Sequence, residues 1–98
     1  MVEIYWTEEA KTRLKSIHAY IAQDNRVAAK NVVKSIQKKA RLLKQFPKLG
    51  AGYPDITDRE IRIIYYPHYR IAYMIVNEKR IDIVGVFHGA MELKNYLR

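Results

Sequence analysis

The chain has 98 residues, of which 49% are hydrophobic, and this length allows a single domain over residues 1–98 with one modest core. It contains no cysteine, which excludes disulfides and thiolate zinc sites and suits a reducing cytoplasm. No apolar run approaches the roughly 20 residues that cross a bilayer, and the N-terminus lacks the pattern of a signal peptide. We therefore expect a cytoplasmic protein with no membrane partner.

The net charge of +8 is unevenly distributed along the chain. Residues 1–50 carry 11 basic and 4 acidic side chains, whereas residues 51–98 carry 7 and 6. A field of this kind favours a nucleic acid, a ribosome or an acidic protein as partner. A basic surface that only keeps the protein soluble is the alternative.

The N-terminal region predicts a strand followed by a helix. Residues 2–6 alternate in a period of two and are rich in strand formers. Thr7 suits the N-cap of a helix, and the two glutamates after it complement the helix dipole. The helix should end near Asp24 and Asn25, which can cap the next helix. Its apolar stripe consists of Ala10, Leu14, Ile17 and Ile21.

A second helix is predicted from about Val27 to Phe46, because Pro47 cannot continue it. Its apolar face consists of Ala29, Val33, Ile36, Ala40 and Leu43. Two helices joined by a few residues form an antiparallel hairpin. The glycines at positions 50 and 52 then predict a loop.

Three strands are predicted in the second half, at residues 59–66, 69–76 and 81–88, joined by short connections. Short connections imply antiparallel neighbours. Residues 89–98 predict a short helical tail. The predicted fold is thus α+β in the order β-α-α-β-β-β with a short C-terminal helix, in which an antiparallel helix hairpin packs on an antiparallel sheet.

Two arginines interrupt these otherwise apolar strands. Arg62 and Arg70 fall on adjacent strands, and an arginine in an apolar sheet is costly to bury unless it is paired. If the hairpin covers one face, the other face forms a partly lined groove into which both arginines open. In this interpretation, the two guanidinium groups bind a phosphate or carboxylate group of a partner. The alternative is structural pairing with Glu60, Asp82 or Glu92.

His88 ends the last strand, where it can act as an acid or base near neutral pH or can hold the turn in place. The three histidines lack metal-ligand spacing, so no metal site is expected. There is no phosphate-binding glycine loop and no hydrolase motif, so we expect no cofactor.

The second predicted helix also carries a row of cations within an arc of roughly 120°. Residues 27–54 contain no acid to balance it. The row binds an anionic partner such as a nucleic acid, or it is a solvated helix face. We call it the basic stripe; it consists of Lys30, Lys34, Lys38, Arg41 and Lys44.

The ordered set of motifs resembles the RelE/ParE superfamily of bacterial toxins from end to end. No single motif is specific, but their order is. The segments that carry the resemblance are Ile4-Tyr5-Trp6-Thr7-Glu8-Glu9-Ala10, Ile17-His18-Ala19-Tyr20-Ile21, Leu43-Lys44-Gln45-Phe46-Pro47, Gly50, Arg62, Tyr69-Arg70-Ile71-Ala72-Tyr73 and Val84-Gly85-Val86-Phe87-His88-Gly89-Ala90.

The resemblance implies the toxin of a type II toxin–antitoxin, or plasmid stabilisation, module that a co-expressed antitoxin protein neutralises. RelE-like members cut mRNA in the ribosomal A site, using basic strand residues, an arginine after the last strand and often a C-terminal tyrosine or histidine. ParE-like members instead poison DNA gyrase without nuclease chemistry. If this chain is a nuclease, the resemblance assigns catalysis to Arg62, Arg70, His88 and Tyr96.

Two differences from the nuclease members of the superfamily favour DNA gyrase as the target. Met91 stands where many relatives have an arginine, and methionine cannot stabilise the charge of a transition state. Glu60 sits where a nuclease would gain from a cation. We therefore expect a gyrase poison whose target-binding tail includes Gly89, Ala90, Met91 and Glu92. The ribosome-dependent endoribonuclease and a non-toxic relative that only binds its antitoxin remain the alternatives, so whether the chain is an enzyme stays open.

Overall fold

A computed structural model describes residues 2–89, 91 and 93–97. Their order confirms the predicted fold class, with one added short strand. The elements are β1 (Glu3–Trp6), α1 (Glu8–Ala22), α2 (Arg26–Arg41), a 3-10 turn (Leu42–Lys44), β2 (Ala51–Gly52), β3 (Ile61–Tyr66), β4 (Tyr69–Asn77), β5 (Arg80–His88) and a second 3-10 turn (Leu93–Asn95). No helix in this part of the chain is long and apolar enough to cross a membrane.

Both helices begin at the side chains that the sequence indicates. The Thr7 hydroxyl accepts a hydrogen bond from the Ala10 amide at 3.1 Å, and the Asn25 side chain accepts one from Ala28 at 2.9 Å. Each bond satisfies an amide that has no partner within its helix. The second helix departs from the prediction at its other end, where the last turn before Pro47 tightens into 3-10 geometry.

The sheet is mixed and has the strand order β1-β5-β4-β3-β2. The predicted antiparallel meander is present in β3, β4 and β5. β1 joins it as a parallel neighbour of β5, with Ile4 opposite Ile81. The predicted loop after α2 contains β2, which pairs with β3 and places Gly52 opposite Arg62. A two-residue strand is too short to give a periodic signal, so the sequence predicts a loop there from the glycines at positions 50 and 52.

The two faces of the sheet pack into two separate cores. One lies beneath the helix hairpin and includes Ile36 and Leu43 from the second helical segment and Ile71 from β4, all fully buried. The other lies on the opposite face, where Leu93 and Leu97 of the C-terminal segment pack against strand residues that include Phe87. The prediction of an open groove on this second face is therefore wrong, because the chain's own C-terminal segment covers it.

Tyr73 joins the segment after the hairpin to the middle of the sheet. Its side chain is fully buried, and its hydroxyl donates to the Pro47 carbonyl at 2.8 Å while accepting from the Gly50 amide at 2.9 Å. A Cβ atom at position 50 would lie 2.7 Å from the carbonyl oxygen of Ile63, so only glycine fits there. The hydroxyl thus holds a backbone segment that passes directly against β3.

Replacing Tyr73 with phenylalanine should lower the free energy of unfolding by about 1–3 kcal/mol, because the buried Gly50 amide loses its partner. Urea titration followed by circular dichroism measures the change. Tyr20→Phe is the matched control, because Tyr20 is 74% exposed and should change stability little. Equal losses in the two variants would contradict a special role for the buried hydroxyl.

Burial also raises the pKa of Tyr73 above its ordinary value of 10.0. The folded state therefore favours the neutral phenol, and this contribution to stability is complete below pH 10 and is lost as the pH rises through the higher folded pKa. From pH 10 upward, we expect the wild type to lose stability more steeply than Tyr73→Phe in urea titrations at stepped pH. Identical slopes for the two proteins would show that ionisation of other groups dominates.

Candidate functional site

The strand register separates the two arginines that the sequence brings together. Arg62 lies opposite Tyr73, whereas Arg70 lies opposite Tyr65. Successive side chains of a strand point to opposite faces, so this offset of three positions places Arg62 and Arg70 on opposite faces of the sheet. The prediction that both open into one groove is therefore wrong.

Arg62 lies on the hairpin face and is bonded within the chain. Its Nε donates to the Glu60 carboxylate at 2.9 Å, and its Nη1 donates to the Gly50 carbonyl at 2.6 Å. Pairing with Glu60 is the structural alternative named above. The guanidinium therefore helps to hold the same loop that Tyr73 holds, from a position nearer the solvent.

Arg70 lies on the face that the C-terminal segment covers. Its Nη2 donates to the carbonyl oxygen of Met91. Its Nε is buried and has no hydrogen-bond partner within the described residues. The Arg59 guanidinium makes a similar bond to the carbonyl oxygen of Leu97. Two arginines thus attach the C-terminal segment to the sheet through its backbone.

His88 is an exposed residue at the end of β5, opposite Tyr69. The two rings meet edge to face, with centroids 6.0 Å apart. Together with residues of α1 such as Arg13 and Tyr20, His88 lines an open cleft of about 470 Å³ that Met91 also borders. An imidazole in this cleft is accessible to a ligand or to a partner.

The sequence analysis missed Arg13, which lies over two neighbouring aromatic rings. Its guanidinium carbon is 4.5 Å from the ring centre of Phe87 and 4.6 Å from that of Tyr96. It also faces the Glu9 carboxylate at 3.5 Å. The sequence does indicate that Arg13 is partly buried, because it lies three residues after Ala10 and four before Ile17 and so shares the buried face of α1.

The residues proposed for catalysis thus divide into two groups. Arg70 and Tyr96 lie with the C-terminal segment on the second face, whereas Arg62 and His88 lie on the hairpin face, His88 at the end of β5 opposite Tyr69. In the predicted target-binding tail, the Gly89 amide donates to the His68 carbonyl, and the Met91 amide donates to the His88 carbonyl. Ala90 and Glu92 lie outside the described residues.

All five side chains of the basic stripe are exposed. None of them takes part in an ion pair within the described residues. Over the same part of the chain, no group of three or more histidine, cysteine or acidic side chains could hold a metal ion.

Comparison with known proteins identifies the family. Residues 4–93 match the family model described as the ParE toxin of the type II toxin–antitoxin system, parDE. The chain belongs to this family. A solved structure titled as the chromosomal ParDE system from P. aeruginosa shares the fold, with a TM-score of 0.73 at 23% identity over 90% of this chain and 96% of the other. No curated protein matches the chain.

Arg13→Ala should loosen the C-terminal segment, because the cation that contacts both Phe87 and Tyr96 is lost. We expect the free energy of unfolding to fall by about 1–2 kcal/mol and the amide of Leu97 to exchange faster. Hydrogen exchange followed by mass spectrometry measures the second effect. Lys11→Ala is the control, because Lys11 also pairs with a glutamate on α1 but is exposed. Unchanged exchange at Leu97 in Arg13→Ala would contradict this role.

Proposed function

We propose that this ParE-family toxin inhibits bacterial growth by acting on DNA gyrase in the cytoplasm, and that a cognate antitoxin protein neutralises it. The observation that carries the proposal is the separation of Arg62 and Arg70 on opposite faces of the sheet. Each of these arginines donates to a backbone carbonyl of its own chain. The two cations therefore serve the architecture of the toxin and do not form a joint phosphate site.

The chemical requirements of RNA cleavage also favour gyrase over the ribosome as the target. Attack by a 2′-hydroxyl needs a base, an acid and a cation at one scissile phosphate. At the end of β5, the neutral Met91 stands where many relatives have an arginine, and its carbonyl accepts a hydrogen bond from Arg70. A toxin that acts through protein contacts needs none of these groups, which suits gyrase as the target.

An apolar groove supports the antitoxin as partner. It has a volume of about 830 Å³ and lies between the end of the helix hairpin and the ends of β1 and β4. Phe46 and Leu49 line it and are 55% and 47% exposed. Large apolar side chains left at a surface mark a binding site for a protein segment. A bound antitoxin would also add stability to this small domain by mass action.

One observation favours the alternative of a ribosome-dependent mRNA endoribonuclease. Arg13 and His88 line the same cleft, and Arg13 also contacts Tyr96. This cleft therefore contains a cation and a group that can transfer protons, with a phenol nearby. The further alternative, a non-toxic relative that only binds its antitoxin, is favoured by Met91, which lacks the charge of the arginine found in many relatives.

Inducing the protein in bacteria and pulse-labelling DNA and protein synthesis side by side tests the proposal. We expect DNA synthesis to fall first, with filamentation of the cells, because a gyrase poison blocks replication. If protein synthesis stopped first and cleaved mRNA appeared, the ribosome would be the target. If neither changed, the chain would be a non-toxic relative.

A His88→Gln variant further distinguishes a ribosome-dependent nuclease from a gyrase poison. Glutamine cannot act as an acid or base, so a nuclease that uses His88 should lose most of its cleavage rate, whereas a gyrase poison should stay toxic. Deletion of residues 89–98 is less informative for this purpose. It would remove Leu93 and Leu97 from the second core and so reduce stability as well as contacts with a target.

A further inference from the structure

The basic stripe along α2 and the turn after it differs from the cations of α1 and of the sheet that are paired with acids. On α1, Lys11 faces Glu8 and Arg13 faces Glu9 at 3.5 Å. On β5, Arg80 pairs with Asp82 at 2.8 Å. The five cations of the stripe have no such partner within the described residues, and residues 27–54 supply no acid.

The stripe also costs the helix stability. Lys30, Lys34 and Lys38 follow one another at spacings of four residues, and like charges at this spacing repel each other on a helix. The helix dipole explains only part of the pattern. It favours Lys38 and Arg41 in the last turn of α2, but Lys30 and Lys34 lie earlier in the helix. An anion bound along the stripe would remove this repulsion.

We propose that the basic stripe binds the phosphate backbone of double-stranded DNA. Residues 30 to 44 extend over about 21 Å at the helical rise of about 1.5 Å per residue. A DNA duplex presents about 12 phosphates over that length. Lys34, Lys38 and Arg41 border a shallow depression of about 450 Å³ with the donors Ser35 and Gln37. Such a surface offers several cations and hydrogen-bond donors to successive phosphates.

The neighbours of the stripe favour a duplex over other anionic partners. The side chains interspersed with it along the chain include Asn31, Ser35 and Gln37, which are polar, and residues 30–44 contain no aromatic residue. Tyr66 of β3 borders a depression beside Lys38, but its ring is half-buried. Single-stranded nucleic acids are bound largely by stacking on aromatic rings. An acidic protein partner usually needs apolar contacts at the centre of its interface. Phosphates of a duplex require neither, and this inference does not depend on gyrase being the target.

Fluorescence anisotropy with a labelled DNA duplex of about 24 base pairs tests the inference at a series of salt concentrations. Five phosphate contacts predict a slope of about −4.5 for log K against log salt, at about −0.9 per contact. The double variant Lys34→Gln/Lys38→Gln should reduce the slope by about 2 and weaken binding by more than tenfold at about 0.1 M salt.

The matched control is Lys48→Gln/Lys79→Gln, which removes the same charge from two exposed positions outside the stripe. It should bind DNA nearly as tightly as the wild type. Equal weakening of the two double variants would overturn the inference, because net charge would then explain the binding. Tighter binding to the single strand, to a duplex RNA of the same sequence or to polyglutamate would also overturn it, as would no binding to duplex DNA at low salt. Circular dichroism confirms that each variant is folded.

Discussion

The rest of the structure depends on the hydroxyl of Tyr73, a polar group buried between the sheet and the segment that leaves the helix hairpin. It satisfies a carbonyl at Pro47 and an amide at Gly50, so the chain can turn from α2 into β2 against the sheet without leaving an unpaired backbone group. Gly50 is the matching constraint, because any side chain there would meet Ile63. The hairpin and the sheet are thereby joined at a fixed distance.

The opposite face of the sheet is held by arginines and aromatic rings. Arg59 and Arg70 donate to backbone carbonyls of the C-terminal segment, and Arg13 lies against Phe87 and Tyr96. Arginines suit this task because the planar guanidinium can donate at its edge and stack on its face. Arg70, to which the family resemblance assigns catalysis, therefore helps to close the second core.

The paired cations and those of the basic stripe thus have different surroundings. Lys11, Arg13 and Arg70 have an acid, a ring or a carbonyl close by, whereas the cations of the basic stripe are exposed and form no ion pair within the described residues. Paired cations contribute to the architecture of the toxin. Unpaired cations along a helix produce a strong positive field at the surface. This field attracts an anionic partner over a distance, before direct contacts form.

The sequence by itself determined the features that depend on neighbouring residues. These are the caps at Thr7 and Asn25, the hairpin that ends at Pro47, the order of the strands along the chain and, through ordered motifs, the superfamily. Only the tertiary structure decided what depends on register and on distant pairing. It placed β1 parallel to β5, separated Arg62 from Arg70, covered the second face with the C-terminal segment and brought Arg13 over two rings. The physical reason is that a side chain alternates faces at each step along a strand, so a shift of one residue in pairing reverses which face it occupies.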